Sequence, residues 1–75
     1  MNIVEAWNKQ RMDYQMRYAS FVRKYMKNPN DKNNQGHMLE CSYVLIGVFG
    51  LTSEQVNEIE RNDGFTNADL EEIRG

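Results

Sequence analysis

Several residue types that carry protein chemistry are scarce in this 75-residue chain, and each shortage excludes a class of protein. One cysteine, Cys41, excludes an intramolecular disulfide framework and is typical of a reducing compartment. The longest apolar stretch has 14 residues (38–51) and contains Glu40, whereas a membrane-spanning helix needs ~20 apolar residues. The first residues also lack the pattern of a signal peptide. We therefore expect a cytoplasmic protein that makes no membrane contact.

Catalytic and cofactor motifs are also missing. The chain has one histidine, His37, and no glycine-rich phosphate-binding loop. His37 and Cys41 are four residues apart, so they would share one face of a helix, but one such pair supplies too few ligands for zinc. A Cys–His nucleophile would need an exposed thiol, and Cys41 lies among apolar neighbours. We predict no enzyme activity, no metal and no cofactor.

Size and charge both favour a chain with a partner. Domains of this length bury only roughly 60% of the surface of the unfolded chain, so their stability is marginal. The net charge is −2, but residues 1–27 carry +4, residues 28–50 carry −1 and residues 51–75 carry −5. Ends of opposite sign attract each other within one chain or between two chains.

The first 27 residues carry a helical seam, meaning a series of side chains spaced alternately three and four residues apart. Over residues 1–27 this spacing predicts one long amphipathic helix, with Asn2 and Glu5 as a cap pairing. Such a helix is ~39 Å long, so one end of the seam should extend beyond the core of so small a chain. The seam consists of Val4, Trp7, Arg11, Tyr14, Tyr18, Phe21 and Tyr25.

The middle of the chain predicts a loop and then a buried helix. Pro29 and the asparagines around it favour turns over residues 28–36. Residues 37–50 have apolar side chains all round a helix, which is typical of a buried helix. Residues 42–49 alone are also compatible with a buried strand, but the chain has no second strand to pair with it. We predict a helix, with Gly47 at a close backbone approach and Gly50 at its C-terminus.

The last third contains a short repeat that predicts two capped helices within residues 51–75. Thr52 and Thr66 begin the two copies as N-caps, each preceded by an apolar residue and followed by another four places later. Two short helices also resemble a DNA-binding helix–turn–helix, but the second one carries three carboxylates that would face phosphates. The prediction is an all-α fold in which the last three helices pack over part of the first.

The sequence predicts a non-catalytic interaction protein that self-associates through the seam or binds an unlike protein partner. Aromatic side chains bury a large area at low entropic cost, and Arg11 would select the register of pairing. Two alternatives remain. One is a nucleic-acid-binding protein that uses the basic residues Arg17, Arg23, Lys24, Lys27 and Lys32. The other is an inhibitor whose acidic last third imitates a nucleic-acid backbone.

Overall fold

A computed structural model of the chain describes residues 2–75, and these residues form four α-helices without a strand. The helices are α1 (Ile3–Lys27), α2 (Lys32–Gly47), α3 (Ser53–Arg61) and α4 (Asn67–Arg74). The all-α prediction is confirmed, including a helix across most of residues 42–49. Met1, the first residue of the predicted range 1–27, lies outside the described residues.

Helix α1 sets the length of the molecule. Asn2 caps it, because its side-chain oxygen accepts a hydrogen bond of 2.8 Å from the Glu5 amide. Its 25 residues span ~37 Å, and the longest dimension of the whole fold is 40 Å. The other helices pack against its middle and C-terminal half, so its first turn is left without a cover.

Helix α2 begins earlier than predicted, so the loop prediction for residues 28–36 was wrong over residues 32–36. The Asp31 side chain caps the helix by accepting a hydrogen bond from the Asn34 amide at 3.1 Å. Asn34 is buried and donates to the Phe21 carbonyl at 2.8 Å. A run of asparagines favours turns locally, but here a tertiary hydrogen bond to α1 holds one of them inside a helix.

The C-terminus of α2 lies at Gly47, three residues before the predicted end. Val48 and Phe49 form a turn, and Gly50 has a φ of +74°, a conformation that glycine adopts without strain. The Leu51 amide then donates to the Leu45 carbonyl at 3.0 Å. Because Leu51 is buried, this turn directs the chain back into the core.

Helices α3 and α4 form as the repeat predicts. Thr52 and Thr66 are their N-caps, and Gln55 and Asp69 return the hydrogen bond to complete two capping boxes. The turn between the helices contains Asp63 and Gly64, both with positive φ. A β-carbon at Gly64 would lie 2.7 Å from Met16 Cε, so this turn approaches α1 closely.

The core lies where α3 fills the notch between α1 and α2. It consists of Tyr18, Cys41, Leu45, Leu51, Val56 and Ile59. Tyr14, Phe21, Val22, Met38 and Phe49 pack around it and are partly buried. Among the helices of residues 2–75, none is both long and apolar enough to cross a membrane.

Candidate interaction surfaces

The structure divides the predicted seam between the core and the surface. Tyr18 is 6% exposed, and Tyr14 and Phe21 pack against the same core. Burial next to Glu60 raises the pKa of Tyr18 to about 12, so its phenol stays neutral. These three rings are engaged within the chain and offer little area to a partner.

Both ends of the seam remain accessible to a partner protein. Val4 is 67% exposed, and Trp7 is partly exposed while its ring packs edge-on against Phe49 with centroids 4.8 Å apart. At the other end, Tyr25 lines a groove between α1 and α2. That the seam is an interface stays a prediction. The exposed part of the seam is confined to these two ends.

Arg11 is the polar residue of the seam, and it binds within the chain. Its guanidinium lies 3.4 Å from the Asp69 carboxylate of α4 and also donates to the Gln15 side chain. Gln15 is fully buried and donates to Asp69 Oδ2 at 2.9 Å and to the Gly64 carbonyl at 3.0 Å. This polar network of Arg11, Gln15 and Asp69 holds α4 against α1. Sequence reasoning missed Gln15, because nothing in its local pattern distinguishes it from an exposed glutamine.

The network makes stability depend on pH. Burial alone would raise the pKa of Asp69, but hydrogen bonds from Gln15 and Thr66, together with Arg11, outweigh it and lower that pKa. A carboxyl with a lowered pKa in the folded state contributes stability above its unfolded pKa of ~3.9. That contribution is lost as the pH falls through the lower folded value.

We therefore expect the free energy of unfolding to fall between pH 7 and pH ~3 by more in the wild type than in an Asp69→Asn variant. Urea titrations of both proteins at several pH values measure the difference. A gap between them that is the same at both ends of this range would contradict the role of Asp69.

An exposed apolar surface lies on α2, on the face that points away from α1. Leu39, Tyr43 and Ile46 are 55%, 69% and 42% exposed and follow each other at spacings of four and three residues. Gly36 extends this series by one turn, and no atom beyond its chain neighbours and the backbone of its own helix lies within 4 Å of the position a β-carbon would take there. We call these four residues the outer face of α2.

This face explains why the sequence of α2 is apolar all round. Cys41 and Leu45 point into the core, and Met38 packs against it. Leu39, Tyr43 and Ile46 form a second apolar stripe on the opposite side, so α2 is buried on one face only. The pattern could have indicated an interface, but a helix covered on both sides has the same pattern. No atom of the chain lies near a β-carbon at Gly47, so the close approach predicted there is absent within residues 2–75.

A groove runs beside the outer face. Because α3 has nine residues, it is only ~13 Å long and covers part of the α1–α2 notch. Beyond it the notch holds an open volume of about 300 Å³. Its lining consists of Tyr18, Tyr25, Gln35, Met38, Leu39 and Ser42. Leu39 belongs to both the groove and the outer face, so the two surfaces are continuous.

The basic residues of the nucleic-acid alternative are divided among different partners. Arg23 pairs with Asp63, which lies in the turn after α3. Arg17 lies over the Tyr14 ring at 5.2 Å and Lys24 over the Phe21 ring at 5.4 Å, while Lys27 and Lys32 are exposed. Nucleic-acid binding stays a prediction, and one of its five cations is already neutralised by a neighbouring acid.

The two residues considered for metal or nucleophilic chemistry have separate environments. The His37 ring is exposed and stacks on Phe21 at a centroid distance of 5.0 Å. Cys41 is buried, and that burial raises the pKa of its thiol, which disfavours the reactive thiolate. Within residues 2–75 no three His, Cys, Asp or Glu side chains converge as a metal site would require.

Comparison of the chain with models of protein families, with curated proteins and with solved structures gave no match. The outer face of α2 and the groove beside it are thus identified by their own geometry.

Proposed function

We propose that this chain is a non-catalytic interaction protein that acts as a homodimer, with the outer face of α2 as its interface. The observation that carries the proposal is the exposure of Leu39, Tyr43 and Ile46 along one side of a helix. A contiguous apolar patch of this kind on a small domain is typical of a protein–protein contact. Its aromatic member supplies the large, low-entropy contact that interfaces favour.

Charge supports a second copy as the partner. Each chain has a net charge of −2, which disfavours association through an acidic surface. Helix α2 contains one lysine, Lys32, and one acid, Glu40, so it is neutral overall. Two copies that meet along α2 therefore bring together the neutral part of the chain and keep their acidic C-terminal thirds apart.

Size supports the same partner. A stable dimer hides about 800 Å² on each partner, and the surface of this chain is 5410 Å². The outer face and the groove together extend along α2 for ~24 Å and across two helices for ~20 Å. In projection that footprint is roughly 480 Å², a little over half of the standard area, which suits a small interface. The same contact would cover apolar area that the small core leaves exposed.

Solution mass tests the proposal. Light scattering behind size exclusion should give twice the chain mass of 8.9 kDa, at low and at high salt, because the interface is apolar. A measured mass of one chain at all micromolar protein concentrations would overturn the homodimer. Dissociation in high salt alone would indicate an electrostatic contact elsewhere on the surface.

A substitution on the outer face should abolish the dimer. We expect Leu39→Lys to raise the dissociation constant by roughly a hundredfold or more, because a two-fold interface receives the charge on both sides. Sedimentation equilibrium measures the constant, and far-ultraviolet circular dichroism checks that the helices persist. Val4→Lys is the matched control, since Val4 is also an exposed aliphatic residue on a helix.

The control also separates the two candidate surfaces. Dissociation by Val4→Lys with no effect of Leu39→Lys would place the interface on the free end of the seam. To address the nucleic-acid alternative, Arg23, Lys24 and Lys27 are replaced together by Gln. This variant should lose nucleic-acid binding if that alternative holds, and it should leave the mass of the dimer unchanged. A single buried thiol suits a reducing compartment, so we propose a cytoplasmic location.

A further inference from the structure

The residues of the outer face are arranged symmetrically about the level of Cys41 along α2. Leu39 and Tyr43 lie two residues before and after that level, and Gly36 and Ile46 lie five residues before and after it. When two such helices run antiparallel about a two-fold axis at this level, each position meets another position of the same set. Leu39 then faces the partner's Tyr43, and Ile46 faces the partner's Gly36.

We infer that the homodimer pairs α2 with α2 of the second copy in this antiparallel register, with each Ile46 seated over Gly36 of the partner subunit. This inference rests on the proposed homodimer and specifies its geometry. A two-fold contact of this kind uses the same patch on both subunits, as an isologous interface requires.

Side-chain size favours this register over its neighbours. Interfaces pack best when large residues of one surface face small residues of the other. Here Ile46 meets a glycine whose β-carbon position is empty within the chain, so the approach displaces no atom of the partner's own fold. Moving one helix by a turn, so that Tyr43 faces the partner's Tyr43, would place Ile46 opposite Glu40.

The parallel arrangement is less favourable for the same reason. It would put Gly36 opposite Gly36 and Ile46 opposite Ile46, so one layer would contain a void and another would contain two large side chains. Voids and overpacked layers both weaken a packed contact. The antiparallel register distributes the same residues evenly, with one glycine in each of its two outer layers.

An exchange of large and small residues between positions 36 and 46 tests the register. Gly36→Leu should raise the dissociation constant about tenfold or more, because the new side chain occupies the space of the partner's Ile46. Ile46→Ala should also weaken the dimer. The double variant should return to within about threefold of the wild type, because the two positions face each other and compensate.

Sedimentation equilibrium of the wild type and the three variants gives the four dissociation constants, and circular dichroism confirms that each variant is helical. Gly36→Leu is suitable because a β-carbon at this position meets no other part of the monomer and leucine raises helix propensity. Gly47→Leu is the control, since that glycine is equally open but lies at the edge of the face. It should change the constant less than Gly36→Leu does.

Each outcome decides a different point. A dimeric wild type with compensation in the double variant supports the antiparallel register. A dimeric wild type in which the two losses simply add overturns the register and leaves the homodimer in place. A monomeric wild type overturns the homodimer and the register together.

Cysteine cross-linking provides a second measurement of the same register. Mixed Leu39→Cys and Tyr43→Cys chains should form a disulfide between unlike chains under mild oxidation, because these positions face each other across the axis. Each variant alone should cross-link poorly, and the buried Cys41 should not react. Efficient cross-linking of Leu39→Cys to itself would indicate the parallel arrangement.

Discussion

Replacing Ile59 with alanine should remove about half of the stability of this chain. Ile59 is fully buried where α3 enters the notch between α1 and α2. Truncating such a side chain costs ~2–5 kcal/mol, since the transfer energy is lost and a cavity remains. A domain of this size has a total stability of only ~4–11 kcal/mol, so the loss should lower the midpoint of urea unfolding sharply.

Ile73→Ala is the matched control for this experiment. Ile73 is 68% exposed on α4, so the same chemical change should cost less than about 0.5 kcal/mol. Both variants are compared with the wild type at one chain concentration, because association contributes to apparent stability. Equal losses at the two positions would contradict the assignment of α3 to the core.

Replacing Gln15 with leucine should cause the second largest loss of stability. We expect this loss although leucine is of similar size and an apolar residue is usually tolerated at a buried position. Gln15 is fully buried and donates to the Asp69 carboxylate and to the Gly64 carbonyl. Leucine would leave both oxygens, one of them charged, without this donor. A buried charge that loses a hydrogen-bond partner costs about 3 kcal/mol, so α4 should detach from α1 well before the rest of the fold opens.

Hydrogen exchange of the α4 amides distinguishes detachment from global unfolding, and urea titration gives the total loss. Gln10→Leu is the control, because Gln10 is exposed on the same helix. Unchanged protection of α4 in Gln15→Leu would show that apolar contacts hold this helix without the network. We expect the opposite, since Asp69 is the only buried residue of α4 and Ile73 is exposed.

These two experiments concern different ways of attaching a short helix. Helix α3 is held by apolar burial of Val56 and Ile59, whereas α4 is held by hydrogen bonds and an ion pair to Gln15 and Arg11. Polar attachment is sensitive to pH and to single substitutions, because removing one partner leaves the others buried and unsatisfied. We therefore expect α4 to be released from the fold more easily than α3.

Local patterns of the sequence were sufficient to predict the helices themselves. The caps at Asn2, Thr52 and Thr66 were recognisable because each bonds to a backbone amide three residues away. The boundary at Lys32 was not recognised, although its cap at Asp31 is equally local. The asparagines around it favour turns, and the Asn34 side chain finds its acceptor, the Phe21 carbonyl, on another helix. Predictions from sequence succeed where the bonding partners are close along the chain and the neighbouring residues do not favour another structure.

The candidate interaction surface was harder to predict from the sequence than the helices were. An aromatic stripe predicts an apolar face but does not state whether that face meets the rest of the chain or a partner. In the structure Tyr18 belongs to the core and Arg11 binds Asp69, while a second apolar stripe, on α2, is exposed. Both helices carry apolar residues at helical spacing, so periodicity could not assign their roles.

The amino-acid sequence was enough to predict an all-α chain of four helices, three of its four N-caps and a charge that runs from basic to acidic. These properties depend on neighbours within a few residues. The packed fold was needed to show which side of α2 is buried, which seam residues are exposed and which polar side chains join α4 to α1. Those outcomes depend on how α3, at nine residues, fills part of the notch between two longer helices. That geometry is set by packing between residues far apart along the chain.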